Sequence, residues 1–147
     1  MQKTETWSEG TRMAGHLIRR LHQQSMQVFQ TQTQAAGFDL TSVQFAALDA
    51  IAQQPDIDQA SLAATICFDR ATIGGVIDRL ERKGLVQRVV SAQDRRARLL
   101  HLTPEGEQLL AACQPVVKAL QADILAPLSP AERDVFLALA QKALGLI

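Results

Sequence analysis

Asp94-Arg95-Arg96-Ala97-Arg98, followed by Leu99-Leu100-His101-Leu102-Thr103, reads as a charged turn closing onto an alternating strand. Before it lies a helix-like segment from Arg70 to Lys83, ended by Gly84. The short apolar run Leu85-Val86-Gln87-Arg88-Val89-Val90 comes next. Helix, strand, basic turn, strand is the order of a winged helix-turn-helix. In that arrangement a polar helix face can enter a DNA major groove, while an arginine at the hairpin tip reaches the neighbouring minor groove.

Working outward, Asp69 is placed to cap the helix from Arg70 to Lys83, whose Ile73, Val76, Ile77 and Leu80 make one apolar stripe. Asp58 is placed to cap a short preceding helix from Gln59 to about Cys67, with Leu62, Ala63 and Ile66 facing inward. The two together form the helix-turn-helix. Earlier still, Thr41 with Gln44 makes a capping box for a helix through Phe45, Leu48 and Ile51, stopped before Pro55. Strands are expected at about Leu85–Val90 and Arg98–Thr103.

The outer segments are helical too. Met13, Leu17, Ile18, Leu21, Met26, Val28 and Phe29 give a first long helix from about Thr11 to Ala36, ended by Gly37. Thr103-Pro104-Glu105 starts another, with proline at the first helical position and early glutamates suiting the helix dipole. It runs to about Ile124. Ser129-Pro130-Ala131-Glu132 then opens a last helix that ends near Leu146. Val116, Val117, Leu120 and Ile124, then Val135, Phe136, Leu139 and Leu144, leave apolar faces larger than a small winged lobe needs. Either a second copy covers them or they pack within one larger monomer.

The 147 residues suit one domain, 1–147: about 11–36 and 104–147 would be dimerisation helices, and about 41–103 the winged lobe. Net charge is zero, but its distribution is not even. Arg70 to Arg98 holds eight basic against three acidic residues, and the rest of the chain holds seven against twelve. That polarity directs a positive face toward phosphates on an otherwise acidic body. Cys67, Cys113, His16, His22 and His101 are too dispersed for a metal site, and no cofactor is implied. The polar segment Met1–Gly10 is no signal peptide, and no run approaches the ~20 apolar residues that span a bilayer. A cytoplasmic, reduced protein without membrane partners is expected. No phosphate-binding glycine loop or nucleophile constellation suggests an enzyme.

Together these features resemble the MarR family of bacterial transcription regulators, over about Met13 to Leu144. The resemblance rests on Arg70-x-Thr72, Val76-x-x-Leu80-Glu81-x-x-Gly84-Leu85-Val86-x-Arg88, Asp94-x-Arg96 and Leu102-Thr103-Pro104-x-Gly106. It implies a mostly α fold with a short β-hairpin wing, and amino- and carboxyl-terminal helices that form a homodimer above two DNA-reading lobes. The implied function is a repressor on a pseudopalindromic operator in double-stranded DNA.

The expected DNA-facing residues are Arg70, Thr72, Gly75 and Arg79 on the recognition helix, with Arg88 reaching the backbone from the first strand. Arginine suits guanine O6 and N7, and threonine suits a base or a thymine methyl. Gly74-Gly75 costs roughly 1 kcal/mol per glycine inside a helix. Close approach to DNA and tight packing against the neighbouring helix are both open reasons for that cost. By resemblance, Arg96 enters the minor groove and Asp94 fixes the turn by pairing with a nearby arginine. Arg95 and Arg98 then touch phosphates or partner Asp94.

Members of the family commonly respond to small aromatic carboxylates or phenols, or to cysteine oxidation. Peroxide-sensing relatives carry a cysteine near the start of the first long helix, where this chain has His16 and Leu17. Redox sensing would therefore fall to Cys67, on an apolar helix face, or to Cys113, which has nothing nearby to lower its pKa. For an aromatic acid, His16, Arg19, Arg20 and Trp7 offer a cationic and aromatic set, with Asp69 or wing arginines closing the pocket. A core histidine among solvated arginines is the plainer alternative. The fold would also permit a winged module that binds proteins instead of DNA.

Overall fold

The computed structural model describes residues 9–66 and 69–147, so Trp7 and Cys67 lie outside the described residues. After a short 3₁₀ turn at Glu9–Arg12, the elements run α1 (Ala14–Ala35), α2 (Ser42–Gln53), α3 (Gln59–Thr65), α4 (Arg70–Arg82), β1 (Val86–Val90), β2 (Arg98–Leu102), α5 (Pro104–Ile124) and α6 (Pro130–Ala143). The fold is mostly α, with a helix-turn-helix, a two-stranded wing and flanking helices. The described chain divides into two compact units. One comprises the described residues up to Val28 with Lys118–Ile147; the other is Phe29–Val117.

The second unit holds the lobe. Its core is the set of apolar residues read from the periodicity: Leu48 and Ile51 of α2, Leu62 of α3, Ile73, Ile77 and Leu80 of α4, Val86 of β1 and Leu100 of β2, all essentially fully buried. Burying each such side chain is worth about 1.5–3 kcal/mol. Thr41 and Gln44 form the expected reciprocal capping box. The strands pair antiparallel with Val86 opposite Leu102 and Arg88 opposite Leu100. The loop before α3 joins them as a third edge, through an Asp58–Leu99 bridge and a Leu100 N–H bond to the Ile57 carbonyl at 2.9 Å.

The junction from β2 to α5 explains the Thr103-Pro104-x-Gly106 pattern. Thr103 Oγ1 accepts from the Gly106 N–H at 3.1 Å and donates to the Gly84 carbonyl at 2.6 Å. A Cβ on Gly106 would stand 2.1 Å from the Leu85 carbonyl oxygen, so no side chain fits there.

In the first unit, Gln24 Nε2 donates to the Ile124 carbonyl at 2.6 Å, and Ser129 with Glu132 makes a second capping box. Met13, Ile18, Val135, Leu139, Leu144 and Ile147 remain exposed, Ile18 and Leu139 by more than 60%.

Two expected helix ends need correction. The last helix stops at Ala143, short of Leu146, because Gly145 turns left-handed (φ 73°) and its N–H returns to the Lys142 carbonyl. The short helix α3 stops at Thr65, with Ile66 as a half-buried cap outside it. Cys113 is fully buried, and burial pushes its thiol pKa up, away from the reactive thiolate.

Candidate nucleic-acid interface

Asp69 is the N-cap of α4, taking the Thr72 N–H at 2.8 Å and the Thr72 hydroxyl at 2.7 Å. These bonds hold its carboxyl below the usual carboxylate range. Each oxygen accepts one of these bonds, and the side chain stays exposed. Asp58 does the same for α3 through the Ser61 N–H at 2.7 Å and the Ser61 hydroxyl at 2.9 Å. It is likewise held low.

With Ile73, Val76, Ile77 and Leu80 turned into the core, α4 shows Arg70, Thr72 and Arg79 outward. The side chains of Arg70 and Arg79 pair with no described residue. Gly75 has open space where a Cβ would be, which removes tight packing as its reason. Gly74 differs: its missing Cβ would touch the Gln59 amide at 3.4 Å, an ordinary contact.

The wing is built by its own backbone. Ser91 Oγ accepts from the N–H groups of Gln93 and Asp94, each at 3.2 Å, and the Ala97 N–H bonds the Asp94 carbonyl at 3.0 Å. Asp94 Oδ1 accepts the Arg96 N–H at 3.0 Å. Asp94 therefore fixes the turn through main chain, as an Asx turn, and pairs with no arginine side chain among the described residues. Arg98 Nη1 donates to the Arg95 carbonyl at 3.0 Å, so Arg98 is no partner of Asp94 either. Arg95 and Arg96 are exposed at the tip, their guanidinium groups unpaired among the described residues. Between wing and helices lies a notch of about 420 Å³, lined by Asp58, Gln59, Arg70, Asp94, Arg96 and Arg98.

Arg88 departs from its expected part. Its guanidinium turns inward and pairs with Asp78 and with Glu81 (3.2 Å), with Gln59 Oε1 at 3.5 Å. Glu81, then Asp78, raises its pKa further. The sequence carried a signal for this: Val86 and Arg88 share one strand face, and Asp78 and Glu81 lie three apart on one helix face. Lys83, at the end of the same helix, also reaches out, donating to the Asp39 carbonyl at 2.8 Å.

Of the residues read as an effector set, Arg19 and Arg20 are exposed on α1. His16 is half-buried on the same face, with its Nε2 shielded from solvent and unpartnered. His101 Nε2 lies 2.9 Å from Asp56 Oδ1.

Residues 40–97 match the model of the MarR family. The chain is 36% identical over 132 residues to the transcriptional regulator HosA of Escherichia coli, covering 90% of this chain and 95% of HosA. The chain belongs to the MarR family. As a MarR-family protein it is also similar to the transcriptional repressor NicR of Pseudomonas putida, at 35% identity over 90% of this chain and 82% of NicR. Among solved structures, BpsR of Bordetella bronchiseptica superposes with a TM-score of 0.84 at 30% identity, over 93% of this chain and 96% of BpsR. That structure concerns regulation of BpsR's DNA binding by 6-hydroxynicotinic acid. This MarR-family chain is a winged-helix transcriptional regulator and not an enzyme. Among its described residues no single helix is long and apolar enough to cross a membrane.

Proposed function

We propose that the protein is a homodimeric repressor that binds a pseudopalindromic operator and is released by a small aromatic carboxylate or phenol. The observation that carries the DNA part is that the guanidinium groups of Arg70 and Arg79 on α4, and of Arg95 and Arg96 on the wing, have no partner among the described residues. Unpaired arginines at a helix face and a hairpin tip suit base edges, phosphates and a minor groove. Thr72 and the open backbone at Gly75 complete the helix face. Asp94 and Arg98 support the wing's shape, and Arg96 is its reading residue. Residues 1–147 act as one MarR-like domain, its outer helices joining a second copy through the exposed apolar residues of the first unit.

The effector reading draws on His16, Arg19 and Arg20 at helical spacing, with an orphaned imidazole nitrogen ready for a carboxylate or phenol oxygen. Regulation of BpsR by a hydroxylated pyridine carboxylate is of the same chemical kind. Such a ligand lowers operator affinity only by binding the DNA-incompetent state better. Buried Cys113 speaks against redox control at that position.

Gel shift with a panel of benzoates, hydroxybenzoates and pyridine carboxylates, paired with thermal shift, tests the effector. At least one compound should raise Tm and release DNA, and His16→Ala should blunt both effects. Silence across the panel removes the aromatic-acid reading. For the wing, Arg96→Ala should weaken specific binding strongly, whereas Arg95→Ala should mainly lower the salt slope by about one unit. Unchanged operator affinity in Arg96→Ala contradicts the assignment.

A further inference from the structure

Arg88 belongs to the lobe's basic surface by sequence but not by geometry. It leaves β1 on the same face as buried Val86, opposite buried Leu100, and its side chain is only 24% exposed. Its guanidinium binds Asp78 and Glu81 on α4 and approaches Gln59, the first residue of α3. Gln59 in turn lies over Gly74 of α4. One side chain thereby links the hairpin to both helices of the helix-turn-helix.

The placement on α4 gives this link a consequence. Gly74, Asp78 and Glu81 form a stripe at spacings of four and three, directly beside the stripe Thr72, Gly75, Arg79 and Arg82. Any roll of α4 about its axis moves the second stripe with the first. Bidentate base contacts tolerate little such movement. The two carboxylates also flank a face that approaches phosphates, where they would repel the duplex unless neutralised.

We propose that Arg88 is a positioning residue for DNA recognition: clamped by Asp78 and Glu81 and braced by Gln59, it sets the seating of α4 on the hairpin and touches no phosphate itself. This rests on the DNA-binding reading above. A lysine is no substitute, because one ammonium on a flexible stem lacks the planar fork that spans two carboxylates and an amide. Charge alone therefore does not fulfil the role.

The test uses the full chain and a duplex that the wild-type protein enriches from a randomised pool, with a scrambled duplex beside it. Binding is measured across a salt series, with Tm as the folding control. Arg88→Lys and Arg88→Ala should each lower the ratio of selected to scrambled affinity by about ten-fold, the scale of one good base contact. The Arg88→Ala salt slope should stay within about 0.3 of wild type, since no phosphate contact is lost. Asp78→Asn changes a single atom and removes a negative charge near the DNA. It should nevertheless weaken selected binding and spare scrambled binding. The proposal is overturned if Arg88→Lys keeps wild-type discrimination while Arg88→Ala loses about one unit of slope, which is the pattern of a phosphate contact. It is equally overturned if Asp78→Asn tightens both duplexes alike. Failure of the wild-type chain to enrich any sequence would instead overturn the regulator reading, and the positioning role with it.

Discussion

Gly75 is where the chain gives up stability for no benefit visible within itself. It sits inside α4, a Cβ there would meet nothing, and alanine is favoured over glycine in a helix by about 0.8–1 kcal/mol. Gly75→Ala should therefore raise Tm, yet lower operator affinity at least several-fold, because the proposed interface brings the duplex backbone to that face. A stabilised variant with unchanged DNA binding would remove Gly75 from the interface. The residue scale is also where sequence reading was weakest. The exposed arginines at 70, 79, 95 and 96 could be picked out from stripe and turn positions. The commitments of Arg88, Arg98 and Asp94 depend on which neighbour a long side chain or a carboxylate finds first. Strand parity alone hinted at Arg88. Only the turn's geometry shows that Asp94 takes the Arg96 N–H as its partner.

At the scale of elements, local rules did most of the work. The caps at Thr41, Asp58, Asp69, Thr103 and Ser129 all start helices where their side chains predict, because each satisfies N–H groups that the helix leaves open. Helix ends were less legible. Gly145 stops α6 through a left-handed turn one residue before the apolar pattern runs out at Leu146. The caps carry a pH signature. Asp58 and Asp69 are held below the ordinary aspartate range by the N–H and hydroxyl groups they accept from Ser61 and Thr72. A lowered folded-state pKa contributes stability that is present above the unfolded value, about 3.9, and lost as pH falls through the folded one. Unfolding followed across pH 2–7 should show this acid loss, and Asp58→Asn/Asp69→Asn should flatten it while keeping the helices capped. An acid limb identical to wild type would mean that these carboxylates gain nothing on folding.

For the whole molecule, the surplus of apolar surface in the first unit is the feature to explain. Met13, Ile18, Val135, Leu139, Leu144 and Ile147 are too many and too exposed for scattered surface residues, and a second copy is the occupant that a two-fold operator requires. Ile18→Glu/Leu139→Glu should sediment as a monomer, keep its helical content and lose roughly a hundred-fold in operator affinity, because paired half-sites no longer reinforce one another. A dimer of undiminished affinity would place the interface elsewhere. The amphipathic patterning makes these faces legible in the sequence, but one chain read alone does not separate a partner's surface from its own core. The most direct measurement of the central claim is binding to the DNA beside the protein's own gene, by gel shift across a salt series with random duplex as competitor. Arg70, Arg79, Arg95 and Arg96, unpaired among the described residues, predict tight, competitor-resistant binding that weakens steeply as salt rises. Binding no better than to random DNA, with a shallow slope, would contradict the account and make the wing a protein-docking surface.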